Sequence, residues 1–255
     1  MCTVTLFRSA ERLLVTMNRD ERRTRADERE PRRAGGRGHP RWIGPVDGET
    51  GGTWFGVNDQ GMVGCLLNAY AAEDIELFGR DDVPSRGGII PELLLRAPTE
   101  ARNWLDSDFD PSPYPSFTLV LATTETTDLY SWRLDTGVAR TALEDGWVMV
   151  TSSWWRTAEM VEWRREQFKS WCDEGASEVN GVPSFNLLEV PDRREWSPMM
   201  TRSFSITRSL TQAEVRRGAS TLELRYWRRD GEAQVDPMRP TDEVVLGLAR
   251  PLPRH

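Results

Sequence analysis

The start of the chain carries two short runs of β-branched, aliphatic and aromatic residues, separated by a polar turn. The runs are residues 3–7 and 13–16, and residues 8–12 between them are mostly polar. This pattern predicts a β-hairpin. Antiparallel pairing around a turn near Ala10 would place Cys2 opposite Asn18 or Arg19. We therefore expect the polar stretch 18–21 to lie beside Cys2.

Further apolar runs predict more strands and a small number of helices. Residues 53–57 and 62–67 flank a turn-rich segment and predict a second hairpin, which ends at Asn68. Helices are predicted over 86–95, 98–105 and 154–171. Further strands are predicted over 41–43, 116–122, 128–134, 146–151, 201–207 and 222–227. Residues 243–248 form a short apolar segment near the end, with no element assigned to it. Residues 22–40 are expected to form a long surface excursion. The pattern favours two antiparallel sheets with helices outside them, in one domain over residues 1–255.

Composition and charge restrict the possible partners. The chain has 255 residues, of which 38% are hydrophobic and 29% charged, as is typical of a globular protein. Its net charge of −7 disfavours a nucleic-acid partner. We predict no membrane span, because no apolar run approaches the necessary length. The N-terminus lacks a signal-peptide pattern, so a cytoplasmic location is expected. The oligomeric state is left open.

The rarity of histidine restricts the possible chemistry. The chain contains three cysteines and two histidines, and the cysteines have no metal-ligand spacing. No metal or cofactor is therefore predicted. A histidine base would depend on His39, which we expect in a flexible glycine-rich loop. Cys65 is expected to be a buried structural thiol.

Cys2 can supply two catalytic groups if Met1 is removed. Its thiol is then a nucleophile, and its free α-amine, with a pKa of about 7.7–8.0, can act as the base. Arg19 would favour the thiolate, and Asp20 would orient the amine. Two alternatives stay open from the residues alone. Cysteine could stand at position 2 by chance, and residues 18–21 could be a solvated strand end.

Three blocks carry a resemblance to a known family. They are Met1-Cys2-Thr3 with the tetrapeptide NRDE at 18–21, GGTWFGVN at 51–58 running on to Asn68, and TSS at 151–153 followed by Arg164. The chain resembles the family named for the NRDE tetrapeptide, the transport-and-Golgi-organisation-2-like proteins. That family is similar in its N-terminal layout to the cysteine N-terminal-nucleophile hydrolases. The resemblance implies an α+β fold with four αββα layers and hydrolysis of a C–N (amide) bond.

The resemblance also implies roles for particular residues. Cys2, Arg19, Asp20 and Asn68 would be catalytic, with Asn68 binding the oxyanion through its side-chain amide. A small-molecule amide is the expected substrate, and Asn18, Ser152 and Arg202 are expected to contact it. Ser152 stands where the hydrolases often carry an asparagine. Many family members carry a Cys/His-rich run around this segment, and Arg202 is the residue of that run that this chain keeps.

Two other functions stay open from the sequence. The first is a non-catalytic carrier or trafficking protein on the same fold, with haem or a lipid as ligand. The second is a protein that keeps the fold without the chemistry.

Overall fold

The predicted N-terminal hairpin lies inside a six-stranded antiparallel sheet. The structure, a computed structural model, describes residues 2–70, 74, 77, 80, 82–154 and 156–249. Met1 is outside this part. Strand β1 (Cys2–Arg8) pairs with β2 (Arg12–Arg22), and Cys2 lies opposite Arg19, one of the two predicted positions. The other strands of this sheet are β10 (Gly146–Ser152), β13 (Ser205–Arg216), β14 (Thr221–Arg228) and β15 (Asp242–Gly247), in the order β10-β1-β2-β13-β14-β15.

A seven-stranded antiparallel sheet packs against the first. Its strands are β3 (Arg29–Gly36), β4 (His39–Val46), β5 (Phe55–Asn58), β6 (Val63–Asn68), β7 (Phe117–Ala122), β8 (Thr127–Arg133) and β9 (Gly137–Leu143), and they are neighbours in chain order. The second predicted hairpin is β5–β6, and β6 ends at Asn68 as expected. Strands β11 (Glu178–Val179) and β12 (Val182–Pro183), of two residues each, form a separate two-stranded sheet.

Helices cover the outer faces of the two sheets. Helices α1 (Ile89–Leu94) and α2 (Pro98–Asn103) pack on the seven-stranded sheet, and a π-helical turn follows at Trp104–Asp108. Helix α3 (Thr157–Asp173) contacts β10, and the short α4 (Ser184–Leu187) contacts β2. The molecule therefore has the predicted four-layer αββα architecture. Among the described residues, no helix is long and apolar enough to cross a membrane.

The main core lies between the two sheets. Alternation along β1 directs Cys2, Val4 and Leu6 into this core, while Thr3 and Thr5 face the helices. A second apolar cluster lies between the seven-stranded sheet and helices α1 and α2. Cys2 thus sits at the edge of an apolar layer, at the first position of a central strand.

Three predictions about the elements were wrong. Residues 29–36 form β3 instead of a surface excursion, and His39 begins β4 instead of lying in a flexible loop. Strand β3 is an edge strand without buried residues, so its sequence carries no apolar alternation. Edge strand β9 is likewise free of buried residues and was not predicted. The strand expected over 201–207 begins at Ser205 and continues to Arg216.

Candidate active site

A cavity of about 380 Å³ opens at the Cys2 end of the hairpin. Its walls come from the ends of β1, β2 and β6, from the loop after β4, and from the segment before α1. The described lining residues are Cys2, Arg19, Asp20, Glu21, Arg25, Asp47, Glu49, Thr50, Thr53, Trp54, Leu66, Asn68, Leu77, Arg80, Val83, Pro84, Ser85, Arg86, Gly87 and Pro115. The four predicted catalytic residues Cys2, Arg19, Asp20 and Asn68 thus share one cavity.

The Cys2 thiol is buried and protonated at neutral pH. Burial raises its pKa above the ordinary value of about 9, and the nearby Asp20 carboxylate raises it further. A hydrogen bond from the Asp20 backbone N–H and the charge of Arg19 lower the pKa only in part. Nucleophilic attack by Cys2 therefore needs a base.

The Arg19 guanidinium is held in an ion-pair network behind the cavity wall. Its Nη1 lies 3.0 Å from Glu28 Oε2, and its Nη2 lies 2.7 Å from Asp47 Oδ2. The guanidinium carbon stacks 4.2 Å from the ring centroid of Trp54. Besides these two contacts, Glu21 Oε2 lies 3.6 Å from Nη2, so three carboxylates surround the guanidinium.

Asp20 faces the opposite side of the sheet from Arg19, because neighbouring side chains of a strand alternate. Its Oδ1 accepts a 2.5 Å hydrogen bond from Thr207 Oγ1, and its Oδ2 lies 3.9 Å from Arg164 Nη2. Burial raises the pKa of Asp20, and the charge of Arg164 opposes that rise. Burial likewise lowers the pKa of Arg164 to about 10, and Asp20 opposes that change. The two groups form a buried charge pair beneath the Cys2 end of β1.

Asn68 and Ser152 lie on different sides of Cys2. Asn68 ends β6, and its Nδ2 donates a 3.2 Å hydrogen bond to the Tyr70 hydroxyl. Ser152 ends β10 directly opposite Cys2. Its hydroxyl oxygen is buried and has no hydrogen-bond partner within the part of the chain that the structure describes. Ser152 thus offers a free hydroxyl next to the thiol, although it is not among the residues that line the cavity.

The other two predicted substrate contacts lie away from the cavity. Asn18 Nδ2 donates to the carbonyl oxygens of Asn186 and Pro198, at 2.9 and 3.0 Å. Arg202 Nε and Nη2 donate to the carbonyl oxygen of Glu195, at 2.8 and 2.7 Å. Neither residue is among the described residues of the cavity wall. The structure gives Asn18 a packing role, and it brings Arg202 within electrostatic range of Asp20.

Trp54 and Arg86 are two of the cavity residues that are absent from the predicted site residues. Trp54 lies within the GGTWFGVN block, so its position in a recognised motif could have indicated it. Arg86 was assigned only to the start of a helix. It reaches the cavity because Gly52 and Gly87 pack backbone to backbone, a contact between distant segments that no local pattern reports.

His39 contributes nothing to this cavity. Its Nδ1 lies 3.3 Å from the carbonyl oxygen of Leu95, and it is not among the described lining residues. Within the same described ranges, no group of three or more His, Cys, Asp or Glu side chains is arranged to hold a metal ion.

Solved structures of two hydrolases share this fold. The Caenorhabditis elegans ortholog of N-acylethanolamine-hydrolyzing acid amidase has a TM-score of 0.54 and 15% identity, covering 83% of this chain and 92% of its own. A variant of conjugated bile acid hydrolase from Clostridium perfringens has a TM-score of 0.51 and 11% identity, covering 100% of this chain and 99% of its own. At such identities the likeness concerns the fold alone.

Sequence comparison gives the family. No curated protein sequence matches the chain. The profile of the family described as Transport and Golgi organisation 2 matches residues 1–221, which includes all three recognised blocks. The chain therefore belongs to the Transport and Golgi organisation 2 family.

Proposed function

We propose that this protein is a cysteine N-terminal-nucleophile hydrolase that cleaves the C–N bond of a small-molecule amide. The observation that carries the proposal is that Cys2, Asp20 and Asn68 line one cavity at the end of β1. The functional unit is proposed to be the whole chain, residues 1–255. A reducing cytoplasm, the proposed location, would keep the Cys2 thiol free.

The first half of the reaction forms an acyl-enzyme. Removal of Met1 frees the α-amine of Cys2, which takes the proton from the Cys2 thiol. The Cys2 sulfur attacks the amide carbonyl carbon and forms a C–S bond. The C–N bond breaks as the proton passes from the α-amine to the leaving nitrogen. This leaves a thioester on Cys2 and releases the amine product.

Water completes the cycle. The α-amine accepts a proton from water, whose oxygen attacks the thioester carbonyl carbon. The C–S bond breaks, the carboxylic acid leaves, and the proton returns to the Cys2 sulfur. Because burial keeps the pKa of the Cys2 thiol high, the α-amine is needed as the base that deprotonates this thiol in the first half, and its ammonium form is needed as the acid that protonates the leaving sulfur in the second half.

Each remaining residue has a specific proposed role. Asp20 holds the α-ammonium through its negative charge. Arg202 is a positioning residue, because its charge acts on Asp20 and its side chain does not touch the substrate. Asn68 donates to the oxyanion that develops on the carbonyl oxygen. Ser152 is proposed as a second donor, because its buried hydroxyl has no other partner in the described ranges. Arg19 holds Trp54 and the cavity wall.

The cavity lining disfavours the carrier alternative. Eight of the twenty described lining residues are charged: Arg19, Asp20, Glu21, Arg25, Asp47, Glu49, Arg80 and Arg86. A lipid tail or a haem ring needs a predominantly apolar pocket. A polar amide fits this wall better.

The test is a panel of small amides and acyl-homoserine lactones, assayed with the wild type and with Cys2→Ala. Cys172→Ala is the matched control, because Cys172 is a partly exposed thiol away from the cavity. Intact mass establishes first whether Met1 has been removed. We expect release of amine by the wild type and by Cys172→Ala, and none above background by Cys2→Ala. Equal activity in Cys2→Ala, or retention of Met1 in an active preparation, would refute the mechanism.

A further inference from the structure

Arg86 differs from the other charged residues of the cavity wall in its ion pairing. Arg25 lies 2.9 Å from Asp47, and Arg80 lies 2.6 Å from Asp82. Arg19 is surrounded by three carboxylates, as described above. Glu21 and Glu49 both lie within 4 Å of Arg25, and Asp20 lies within that distance of Arg164. Arg86 has no carboxylate oxygen within 4.0 Å among the residues that the structure describes.

The guanidinium of Arg86 has unused hydrogen-bond donors. Its Nη1 donates a 2.8 Å hydrogen bond to the carbonyl oxygen of Ser116, its single hydrogen bond within the described ranges. A guanidinium carries five N–H donors, so four have no hydrogen-bond acceptor among the described residues. Burial lowers the pKa of Arg86, and the more distant charges of Tyr70, Asp74 and Glu21 oppose that change.

The backbone holds Arg86 at the cavity wall. Thr53 N donates a 2.9 Å hydrogen bond to the carbonyl oxygen of Gly87, which joins the segment of Arg86 to the GGTW block. A Cβ atom on Gly52 would lie 2.5 Å from the Gly87 backbone, so the two chains are in direct contact there. Arg86 and Cys2 both line the cavity. Arg86 is thus a fixed positive group near the proposed nucleophile.

We propose that Arg86 binds a carboxylate of the substrate, so that the amides hydrolysed at Cys2 carry an anionic group near the scissile bond. A carboxylate can accept two parallel N–H bonds from one guanidinium, which orients the ligand as well as binding it. Every other charged residue of the described wall already lies within 4 Å of a side chain of opposite charge. The substrate class in this proposal rests on the proposed amide hydrolysis, whereas anion binding by Arg86 does not.

The first test measures anion binding beside Cys2 without any substrate. Iodoacetate and iodoacetamide alkylate the same thiol but differ in charge, so the ratio of their rates at Cys2 reports the local positive charge. Mass spectrometry of the N-terminal peptide separates Cys2 from Cys65 and Cys172. We expect Arg86→Gln to lower the iodoacetate-to-iodoacetamide ratio by about tenfold, the effect of one charged hydrogen bond.

Two variants make this result specific. Arg86→Lys keeps the charge and should keep most of the ratio. Arg165→Gln removes one positive charge from an exposed position on α3 and should leave the ratio unchanged. Thermal unfolding of all three variants verifies that they are folded. A folded Arg86→Gln with the wild-type ratio would overturn anion binding by Arg86.

The second test measures substrate class with a matched pair, an N-acyl amino acid and its neutral methyl ester. The wild type should hydrolyse the free acid with a kcat/KM about tenfold or more above that of the ester, and Arg86→Gln should remove this preference. Equal hydrolysis of acid and ester by the wild type would refute the substrate class. An absence of any Cys2-dependent hydrolysis would instead refute the proposed function, while the alkylation ratio would still decide on Arg86.

Discussion

The contact between Gly52 and Gly87 gives the sharpest prediction about the cavity wall. Replacing Gly52 by alanine adds a Cβ atom 2.5 Å from both the carbonyl carbon and the carbonyl oxygen of Gly87, and 2.8 Å from its Cα. These atoms are backbone, so no side-chain rotation can relieve the overlap. The segment that carries Arg86 has to move away from the GGTW block.

The size of the effect follows from these distances. Reaching even a tight contact of 3.0–3.4 Å requires the segments to separate by about 0.5–0.9 Å. The hydrogen bond from Thr53 N to Gly87 O, now 2.9 Å, would lengthen to about 3.4 Å or more and be lost. Overpacking costs about 1–3 kcal/mol and the lost hydrogen bond about 1 kcal/mol. We expect Gly52→Ala to lower the free energy of unfolding by about 2–4 kcal/mol.

The neighbouring glycine supplies a matched control. Gly51 has φ +72°, and a Cβ atom there would meet nothing within 4 Å. Gly51→Ala should therefore cost only the left-handed backbone strain, about 1 kcal/mol. Both changes restrict the unfolded chain equally, so that contribution cancels in the comparison.

The assay is urea unfolding of the wild type and the two variants, combined with the alkylation ratio at Cys2. Gly52→Ala should be the less stable variant and should also lower the iodoacetate-to-iodoacetamide ratio, because Arg86 moves. Gly51→Ala should keep the ratio. If Gly52→Ala is as stable as Gly51→Ala, the close-contact reasoning is wrong.

Two further changes test the electrostatics of the site. Asp20→Asn removes a negative charge that raises the pKa of Cys2, so iodoacetamide should alkylate Cys2 severalfold faster at pH 7. Amide hydrolysis by this variant should nevertheless fall by about 100-fold. Slower alkylation would contradict the effect of the Asp20 charge on Cys2. Burial tends to raise the pKa of Asp47, but the hydrogen bonds from Arg25 and from the Thr50 backbone N–H, together with the charges of Arg25 and Arg19, outweigh it and hold that pKa far below the ordinary value. A depressed folded-state pKa stabilises the protein above the unfolded-state pKa of about 3.9, and this stabilisation is lost as the pH falls. In urea unfolding at pH 7, Asp47→Asn should therefore be about 2–4 kcal/mol less stable than the wild type. This difference in the free energy of unfolding should become smaller at pH 3.5. A difference that does not depend on pH would contradict the ion-pair explanation.

The sequence predicts those strands whose residues are mostly buried and therefore β-branched, aliphatic or aromatic. The two hairpins β1–β2 and β5–β6 consist largely of such buried runs, and their register follows from the turns. Edge strands β3 and β9 bury no side chain, so nothing in their residues distinguishes them from surface loops. They exist because a neighbouring strand offers backbone hydrogen bonds, which is a property of the assembled sheet.

The candidate site divides in the same way. The pairing of Cys2 with Arg19 follows from a local turn and was predicted. The position of Arg86 depends on segments that meet only in the folded chain. Asn18 belongs to the same motif as Arg19, but its side chain faces the helices, where it forms hydrogen bonds with Asn186. Membership of a motif does not determine which face of the strand a side chain occupies.

The outer face of the six-stranded sheet is polar although α3, α4 and the segment after them bury it. Thr5 Oγ1 donates to Asn186 Oδ1 at 2.5 Å, and Gln212 Nε2 donates to Thr16 Oγ1 at 2.8 Å. An apolar layer of the same volume would be equally or more stable, because buried polar groups lose their hydration. Stability alone therefore does not explain this layer. Hydrogen bonds fix direction and distance, whereas apolar contacts do not.

Arg164 shows what such fixed geometry achieves at the Cys2 end. Its Nη1 donates to Thr3 Oγ1 at 2.6 Å and to Thr151 Oγ1 at 2.9 Å, so it ties β1 to β10 one residue away from Cys2 and Ser152. Its Nη2 faces Asp20 at the end of β2. One guanidinium thus holds three strand ends in register from beneath the sheet, while the cavity opens on the other side. A nucleophile on the first residues of a chain would otherwise fray with the terminus. The buried polar layer offsets this weakness by anchoring the residue next to the proposed nucleophile.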